Sequence, residues 1–224
     1  MKNKSLIITL ALFFILVSAL ALFGCNPQPD YLSYVSEVRK DLFYGEQENY
    51  TVVCYTGIKE SPAIFDGAKN QTAPYIRFKL SQKEESSEKI TINFEIDNKK
   101  LSCPLEFHPV KSTLFGEVQV NSLPERSITI DIVCGENTTT VTLYSKLNED
   151  TISYTDALKK ATDKASDFLK EHTKKGVLKA EIVIRLLCEN DKNFYYVGFI
   201  CEEGLKRAYL IDGKTGEIIA EKNN

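Results

Sequence analysis

Alternation of apolar and polar side chains dominates the chain between Thr51 and Leu147 and limits what it can fold into. One alternating run has the apolar members Ile90, Ile92, Phe94 and Ile96. Another run follows the polar residues 97–100 and has the apolar members Leu101, Cys103, Leu105 and Phe107. Since successive side chains of a strand point to opposite faces, this period of two predicts strands with one buried face.

These two runs predict an antiparallel hairpin. Folding the chain about Asn98-Lys99 places Ile96 opposite Leu101 and Phe94 opposite Cys103, so that apolar side chains meet. Pro104 has no backbone N–H, so its strand is expected at a sheet edge or at a bulge.

The same reasoning predicts a second hairpin and three further strands. In the hairpin, apolar residues of 128–134 and 141–143 flank the turn Gly135-Glu136-Asn137. The further strands are expected around Tyr50–Thr56, Tyr75–Leu80 and Leu114–Val120. Short strands separated by polar turns predict an N-terminal antiparallel β-sandwich or barrel-like domain over residues 31–148. At its start, residues 31–44 are interpreted as a helix from their spacing, although their aromatic content would also suit a strand.

The apolar period changes after residue 150. Apolar residues then recur every three or four positions, at Ala157, Ala161, Ala165, Phe168 and Leu169, which predicts an amphipathic helix. Ser153 and Asp156 have the spacing of a capping box, and Gly176 is expected to end the helix. Four strands are predicted to follow, within 180–221. A helix followed by an antiparallel meander is an α+β unit, so the whole chain is expected to be a β-rich α+β protein.

The segment Asp212-Gly213-Lys214-Thr215-Gly216 contains Gly-Lys-Thr, the residues that end a phosphate-binding loop. Such a loop needs a glycine five residues before its Gly-Lys pair, and Ala208 stands there. The loop must also open a helix, whereas the residues that follow have a strand pattern. The segment is therefore predicted to be a tight turn, and no nucleotide is expected.

The last third of the chain resembles a PepSY domain, from residue 152 to 222. The resemblance lies in Ser153-Tyr154-Thr155-Asp156-Ala157, Tyr195-Tyr196-Val197-Gly198-Phe199, Tyr209-Leu210-Ile211-Asp212 and Thr215-Gly216-Glu217-Ile218. It implies a non-catalytic module of the cell envelope, associated in some relatives with the restraint of peptidases. The domain is placed at residues 152–224.

The amino end has the layout of an export signal. Lys2 and Lys4 precede the apolar run Leu6–Phe23. The residues Leu22-Phe23-Gly24-Cys25 resemble the lipobox of bacterial lipoprotein precursors. The resemblance implies cleavage after Gly24, removal of residues 1–24, and a lipid thioether on Cys25, with residues 25–30 as a tether. The alternative is an uncleaved anchor, because the apolar run is about as long as the shortest helix that crosses a bilayer.

Charge and reactive side chains narrow the classes of function. The net charge of −3, without a cluster of Lys and Arg, argues against nucleic-acid binding. His108 and His172 are the two histidines, and neither is spaced for a metal site or for a cysteine hydrolase. No metal or other cofactor is expected. The cysteines after Cys25 are expected to be thiols rather than disulfides: Cys54, Cys103, Cys134, Cys188 and Cys201.

The sequence therefore predicts a lipid-anchored protein on the extracytoplasmic face of the cell membrane. We expect a non-catalytic binding or regulatory module with a protein partner, such as a peptidase or another envelope protein. Two alternatives stay open at this stage. One is an envelope enzyme whose site forms between the two domains, and the other is a structural or assembly factor.

Overall fold

The computed structural model describes residues 29–62, 71–83, 88–201, 204 and 206–223. A 3-10 turn at Tyr31–Tyr34 comes first. Nine strands follow: β1 (Val35–Gln47), β2 (Tyr50–Glu60), β3 (Thr72–Gln82), β4 (Ile90–Ile96), β5 (Lys99–Pro104), β6 (Glu106–His108), β7 (Thr113–Gln119), β8 (Ser127–Cys134) and β9 (Asn137–Ser145).

The second half of the chain contains both helices. They are α1 (Tyr154–Lys164) and α2 (Ser166–Glu171), and they follow each other directly. Six strands complete the fold: β10 (Thr173–Lys174), β11 (Val177–Leu178), β12 (Ala180–Glu189), β13 (Lys192–Cys201), β14 (Lys206–Asp212) and β15 (Ile218–Asn223). The protein is therefore β-rich, as predicted.

One sheet contains thirteen of the described strands, and β10 and β11 form a separate pair. Strands β1 to β9 curve into a nearly closed barrel, which we call the barrel lobe. Around it, β1 is followed by β2, β3 and β7 on one side and by β9, β8 and β4 on the other. At the two ends of this order, β5 pairs with β4 and β6 pairs with β7. Since β5 and β6 follow each other in the chain, the backbone rather than a strand pairing spans the remaining gap.

Apolar side chains fill the interior of the barrel lobe. They come from alternate positions of the strands, as the sequence predicts, and include Phe43, Phe78, Ile92, Ile130 and Leu143. The rings of Phe78 and Phe94 pack edge to face with centroids 5.3 Å apart. The barrel lobe therefore has a solid core.

The helical lobe consists of the 3-10 turn, both helices and strands β10 to β15. Strands β12 to β15 form an antiparallel meander. The helices cover one face of this meander and bury Ala157, Ala161 and Leu169 against Ile184 and Phe199. The predicted start of the helix is confirmed, because Ser153 is the N-cap of α1 and its hydroxyl accepts a hydrogen bond from the Asp156 amide at 3.1 Å.

The helix predicted for residues 31–44 is wrong. A 3-10 turn and strand β1 occupy this segment. Helical spacing was misleading because β1 contains a bulge between Arg39 and Asp41, which shifts its alternation by one residue. Gly176 does not end the helix either. It has φ +76° in the turn between β10 and β11, after α2 has ended at Glu171.

The first predicted hairpin exists, but its register was wrong by two residues. Its turn is Asp97-Asn98, so Phe94 rather than Ile96 lies opposite Leu101. Asp97 and Asn98 have φ of 51° and 60°, the left-handed values that a two-residue hairpin turn requires. A shift of two residues leaves each side chain on the predicted face. The second hairpin is confirmed, with its turn at Gly135-Glu136.

Candidate functional site

The residues predicted for lipid attachment, Gly24 and Cys25, lie outside the described residues. The nearest described element is the 3-10 turn. Tyr31 and Tyr34 pack against the core of the helical lobe. The Tyr34 hydroxyl accepts the amide hydrogen of Leu178 at 3.3 Å. The chain therefore enters the fold at the helical lobe.

Strand β1 belongs to both lobes because it changes its neighbour along its length. Residues 35–39 pair in parallel with β12, and residues 43–44 pair antiparallel with β9. Strand β2 pairs with β1 along the other edge. A fork therefore opens where β1 leaves β12 and approaches β9. The predicted domains, 31–148 and 152–224, stay predictions, and residues 31–38 contribute to the core of the helical lobe.

The bulge in β1 keeps the two cores on one face of the strand, which we call the inner face. Val38 on this face belongs to the core of the helical lobe, and Phe43 belongs to the core of the barrel lobe. The opposite, outer face carries Glu37, Arg39 and Tyr44. Because the helices and the barrel interior lie on the inner side, the outer face is available for polar groups and ligands.

Glu37 on the outer face joins the two lobes. One carboxylate oxygen, Oε2, accepts from Nε and Nη2 of Arg185 on β12, at 3.0 and 2.6 Å. The other, Oε1, accepts from the Tyr75 hydroxyl on β3 at 2.9 Å. Burial acts to raise the pKa of the Glu37 carboxyl, but the hydrogen bond and charge of Arg185, with Tyr75, lower it below its ordinary value. We call these three residues the Glu37 cluster.

Tyr75 is inaccessible within this cluster. Its side chain is fully buried, and burial together with the Glu37 charge raises the pKa of its hydroxyl well above the ordinary value. Lys59 Nζ and Arg77 Cζ each lie 5.5 Å from the centroid of its ring. Both cations form ion pairs with the Glu117 carboxylate. The Glu37 cluster is therefore a structural link between the lobes, since a ligand would first have to displace this cover.

Arg39 is held differently from the other basic residues of the outer face. Its Cζ lies 4.0 Å from the centroid of the Tyr55 ring, which is a cation–π contact. Its Nε is buried and has no hydrogen-bond partner among the described residues. Arg39 also forms no ion pair with any residue that the structure describes. The protein thus positions this guanidinium with an aromatic ring rather than with an acid.

A cavity of about 340 Å³ lies at the fork, next to this ring. Its apolar wall comes from the outer faces of β1 and β2 and consists of Leu42, Tyr44, Val53 and Tyr55. Its other wall comes from the segment after β9 and from the β12–β13 turn, with Lys146, Cys188 and Asp191. Lys146 Nζ forms an ion pair with Asp191 at 3.0 Å. We call this space the fork cavity.

Asp41 lies on the inner face of β1, at the junction of the two cores. It is 7% exposed. The Ser145 hydroxyl lies 2.9 and 2.7 Å from its two carboxylate oxygens, and the Leu42 amide donates to Oδ1 at 2.6 Å. Burial raises the pKa of the Asp41 carboxyl above its ordinary value, and these hydrogen bonds oppose the shift only in part.

Asn193 fixes the segment that connects the lobes. Its Oδ1 accepts from the Asn148 amide at 2.7 Å and from the Thr151 hydroxyl at 2.8 Å. Its Nδ2 donates to the Lys146 carbonyl at 2.9 Å. Asn193 is 5% exposed, so these bonds are shielded from water. The wall of the fork cavity that contains Lys146 is therefore anchored to the helical lobe.

The segment 212–216 is a turn between β14 and β15, as predicted. Asp212 Oδ1 accepts from the amides of Lys214 and Thr215, at 2.9 and 2.8 Å. These amides are therefore already bound to a carboxylate of the protein. A Cβ at Gly213 would lie 2.5 Å from the carbonyl oxygen of Asn193, so glycine is needed for the turn to approach β13.

The described cysteines are free thiols. Cys54 and Cys103 belong to the barrel core. Burial, with a smaller effect of the Glu117 charge, raises the pKa of the Cys103 thiol to about 11. Cys188 and Cys201 lie near opposite ends of the β12–β13 hairpin, opposite Asn193 and Ala180. The turn of that hairpin is Asn190-Asp191.

The two histidines lie at the ends of secondary-structure elements. His108 ends β6, and His172 follows α2, where its Nδ1 lies 2.8 Å from the Phe168 carbonyl oxygen. Within the described ranges, no group of three or more His, Cys, Asp or Glu side chains could hold a metal ion.

Sequence reasoning missed Glu37, Arg39 and Arg185. The helical interpretation of residues 31–44 hid the signal, because Glu37 and Arg39 share a face only if the segment is a strand. Read as a strand, the segment would have indicated two charges of opposite sign on one face.

The fold and the site define a two-lobed, β-rich protein on one mostly antiparallel sheet, with a cavity where the lobes diverge. Comparison with protein-family models, with curated proteins and with solved structures found no match for the chain. In the part of the chain that the structure describes, no helix is long and apolar enough to cross a membrane.

Proposed function

We propose that the chain is a lipoprotein held on the extracytoplasmic face of the cell membrane, where it acts as a non-catalytic binding or regulatory module. The observation that carries this proposal is the lipobox-like Leu22-Phe23-Gly24-Cys25 directly before the fold. The fold begins at Tyr31, and six residues of extended chain reach at most about 20 Å. A lipid on Cys25 would therefore keep the helical lobe close to the membrane surface.

The finer assignment of residues 152–224 to a PepSY-like domain is part of this proposal. Helix α1 buries Ala157 and Ala161 against the meander, which supports the match with the alanine-rich helix of those domains. The turn between Asp212 and Gly216 supports the match with their last two strands. By this resemblance the partner would be an envelope protein, such as a peptidase whose activity the module restrains.

The fork cavity is the part of the surface that we assign to binding. It combines an apolar wall with charged side chains, which is typical of sites that hold a ligand in one orientation. The connecting segment is anchored through Asn193, so the cavity is preformed.

Metabolic labelling with a fatty-acid analogue tests the anchor. We expect label on the natural chain and none on Cys25→Ala, which should also keep its signal. The matched control is Cys188→Ala, which should be labelled like the natural chain. Normal processing and membrane retention of Cys25→Ala would overturn the lipoprotein proposal.

Photo-crosslinking in intact cells tests the binding role. A photoreactive residue in place of Asn190, at the rim of the fork cavity, should capture a specific envelope protein. The same residue in place of the exposed Arg126 on the barrel lobe should not. Identical products from both positions would argue against the fork cavity as the binding surface.

A further inference from the structure

We propose that the hairpin of β10 and β11, together with Lys179, contacts anionic phospholipid headgroups and orients the protein on the membrane. We call this segment, residues 173–179, the basic hairpin. The proposal rests on the lipid anchor and adds the surface that faces the bilayer. It follows from where the chain enters the fold, from the charge of the basic hairpin, and from the side chains that share its exposed face.

The basic hairpin lies at the end of the helical lobe where the chain enters the fold. The Leu178 amide donates a hydrogen bond to the Tyr34 hydroxyl at 3.3 Å. Strand β1 begins at Val35, which pairs in parallel with Ile182 near the start of β12. Parallel strands run in the same direction, so the two segments that lead into them lie at the same end of the sheet. A lipid on Cys25, on a tether of at most about 20 Å, would therefore hold the basic hairpin close to the bilayer.

Charge distinguishes this part of the chain from the rest. Residues 170–179 contain four lysines and one acid, whereas the whole chain has a net charge of −3. Lys174, Lys175 and Lys179 are exposed, and none of them forms an ion pair with a residue that the structure describes. Anionic headgroups attract lysines that lie near the bilayer surface. Each lysine adds little, but a chain that a lipid already holds at the membrane needs only a small further attraction to select one orientation.

The backbone places these charges and an apolar side chain on one face. Lys174 pairs with Val177 across the basic hairpin, so their side chains project to the same side. Leu178 points to the opposite side and is buried in the core of the helical lobe, while Val177 is 42% exposed. The Lys179 amide continues the ladder by donating to the His172 carbonyl at 2.8 Å, which returns Lys179 to the face of Val177. Basic side chains beside an exposed apolar one suit the interface of an anionic bilayer.

This orientation would leave the fork cavity accessible to a protein partner. The cavity includes Cys188 and Asp191, at the end of the β12–β13 hairpin that is remote from Ala180. Strand β12 has ten residues, so that end lies roughly 30 Å from the basic hairpin. The surface for the membrane and the surface for the partner are therefore at opposite ends of the helical lobe.

Tryptophan fluorescence tests the proposal, because the chain contains no Trp. Val177→Trp places a single reporter on the basic hairpin. Val110→Trp is the matched control, since Val110 is also exposed but lies on the turn between β6 and β7, at the end of the barrel lobe remote from the entry of the chain. The purified full chain is reconstituted in vesicles of brominated phosphatidylcholine with phosphatidylglycerol. We expect bromine to quench the reporter of Val177→Trp at least about twofold and to leave that of Val110→Trp unchanged.

Charge variants assign the contact to the lysines. In the Val177→Trp chain, Lys174→Gln with Lys175→Gln should remove most of the quenching. Lys99→Gln with Lys100→Gln, which changes two adjacent exposed lysines at the start of β5, should leave it unchanged. Omission of phosphatidylglycerol, or salt at about 1 M, should act like the first pair of substitutions, because each weakens the attraction between lysine and headgroup.

Two outcomes would overturn the proposal. One is a Val177→Trp chain that is quenched no more than Val110→Trp, which would mean that the basic hairpin faces away from the bilayer and is open to a protein partner. The other is quenching that persists in full without phosphatidylglycerol and after Lys174→Gln with Lys175→Gln. Labelling of Cys25 is measured separately. Label without quenching would overturn the role of the basic hairpin alone, and quenching without label would overturn the lipid anchor alone.

Discussion

Glu37 and Asp41 lie on the same strand, four residues apart, yet their carboxyl groups behave in opposite ways. The bulge in β1 places Glu37 on the outer face and Asp41 on the inner face. Burial acts to raise the pKa of both. For Glu37 the Arg185 guanidinium reverses the effect, and the pKa falls below its ordinary value. For Asp41 burial prevails, and the pKa rises.

The difference shows what each face of the strand is for. The outer face supplies Glu37 with a guanidinium from the other lobe, so its charge links the lobes. The inner face supplies Asp41 with a hydroxyl and an amide, so its charge is tolerated at a cost. The one-residue bulge therefore places Glu37 where its charge stabilises the fold and Asp41 where burial disfavours its charge.

Truncating the inner face should have the largest effect. Phe43→Ala removes a fully buried ring from the barrel core, and we expect a loss of about 3–5 kcal/mol in the free energy of unfolding. Tyr44→Ala, at the next position but on the outer face, should cost about 1 kcal/mol. Urea denaturation measures both. Equal losses would mean that the two faces of β1 do not differ in packing as described.

Removing the charge of Glu37 should have the next largest effect. Glu37→Gln keeps the shape but loses the ion pair with Arg185, and we expect a loss of about 2 kcal/mol at pH 7. Because the folded pKa lies below the ordinary 4.5, the stabilisation is present above that pH and is lost as the pH falls through the folded value. The difference between the two chains should therefore shrink in acid, as denaturation at several pH values would show.

A constant difference between Glu37→Gln and the natural chain from neutral to acidic pH would contradict this account. It would mean that the Glu37 charge is not the source of the stabilisation.

Removing the charge of Asp41 should have the smallest effect and the opposite sign. We expect Asp41→Asn to change the free energy of unfolding by less than about 1 kcal/mol at pH 7, in the stabilising direction. The folded pKa lies above the ordinary 3.8, so the natural chain loses stability as the pH rises through the folded value. Asp41→Asn should lack this loss.

Thermal melts between pH 3 and 7 would detect this difference in pH dependence. Ser145→Ala is the control, because it weakens the hydrogen bonds to Asp41 but keeps the carboxylate. A marked destabilisation by Asp41→Asn at neutral pH would show that the Asp41 charge is needed.

Local patterns predicted most of the barrel strands and the helix. Alternation identified the buried residues of β4 and β8, and the capping-box spacing of Ser153 and Asp156 located the start of α1. The register error of the first hairpin came from a turn that uses Asp and Asn instead of glycine, at Asp97-Asn98. These residues tolerate left-handed backbone angles, so the turn position was ambiguous in the sequence.

The candidate site could not be predicted in the same way. Glu37 and Arg185 are separated by 148 positions in the chain, and Arg39 meets Tyr55 across two strands. Alternation shows which face a residue occupies, but it does not specify which distant strand lies beside it. Local sequence patterns therefore could not predict the parallel pairing of β1 with β12. They also could not predict the fork cavity, which depends on that pairing.

That pairing also has a consequence for how the chain matures. Val35 pairs with Ile182, so this pairing can form only after the ribosome has synthesised the chain beyond residue 182. Until then, the leading part of the first strand has a vacant hydrogen-bonding edge, which is a common starting point for aggregation. The barrel can close earlier, because its ninth strand ends at Ser145. A chain that stops short of residue 180 would keep that edge open permanently.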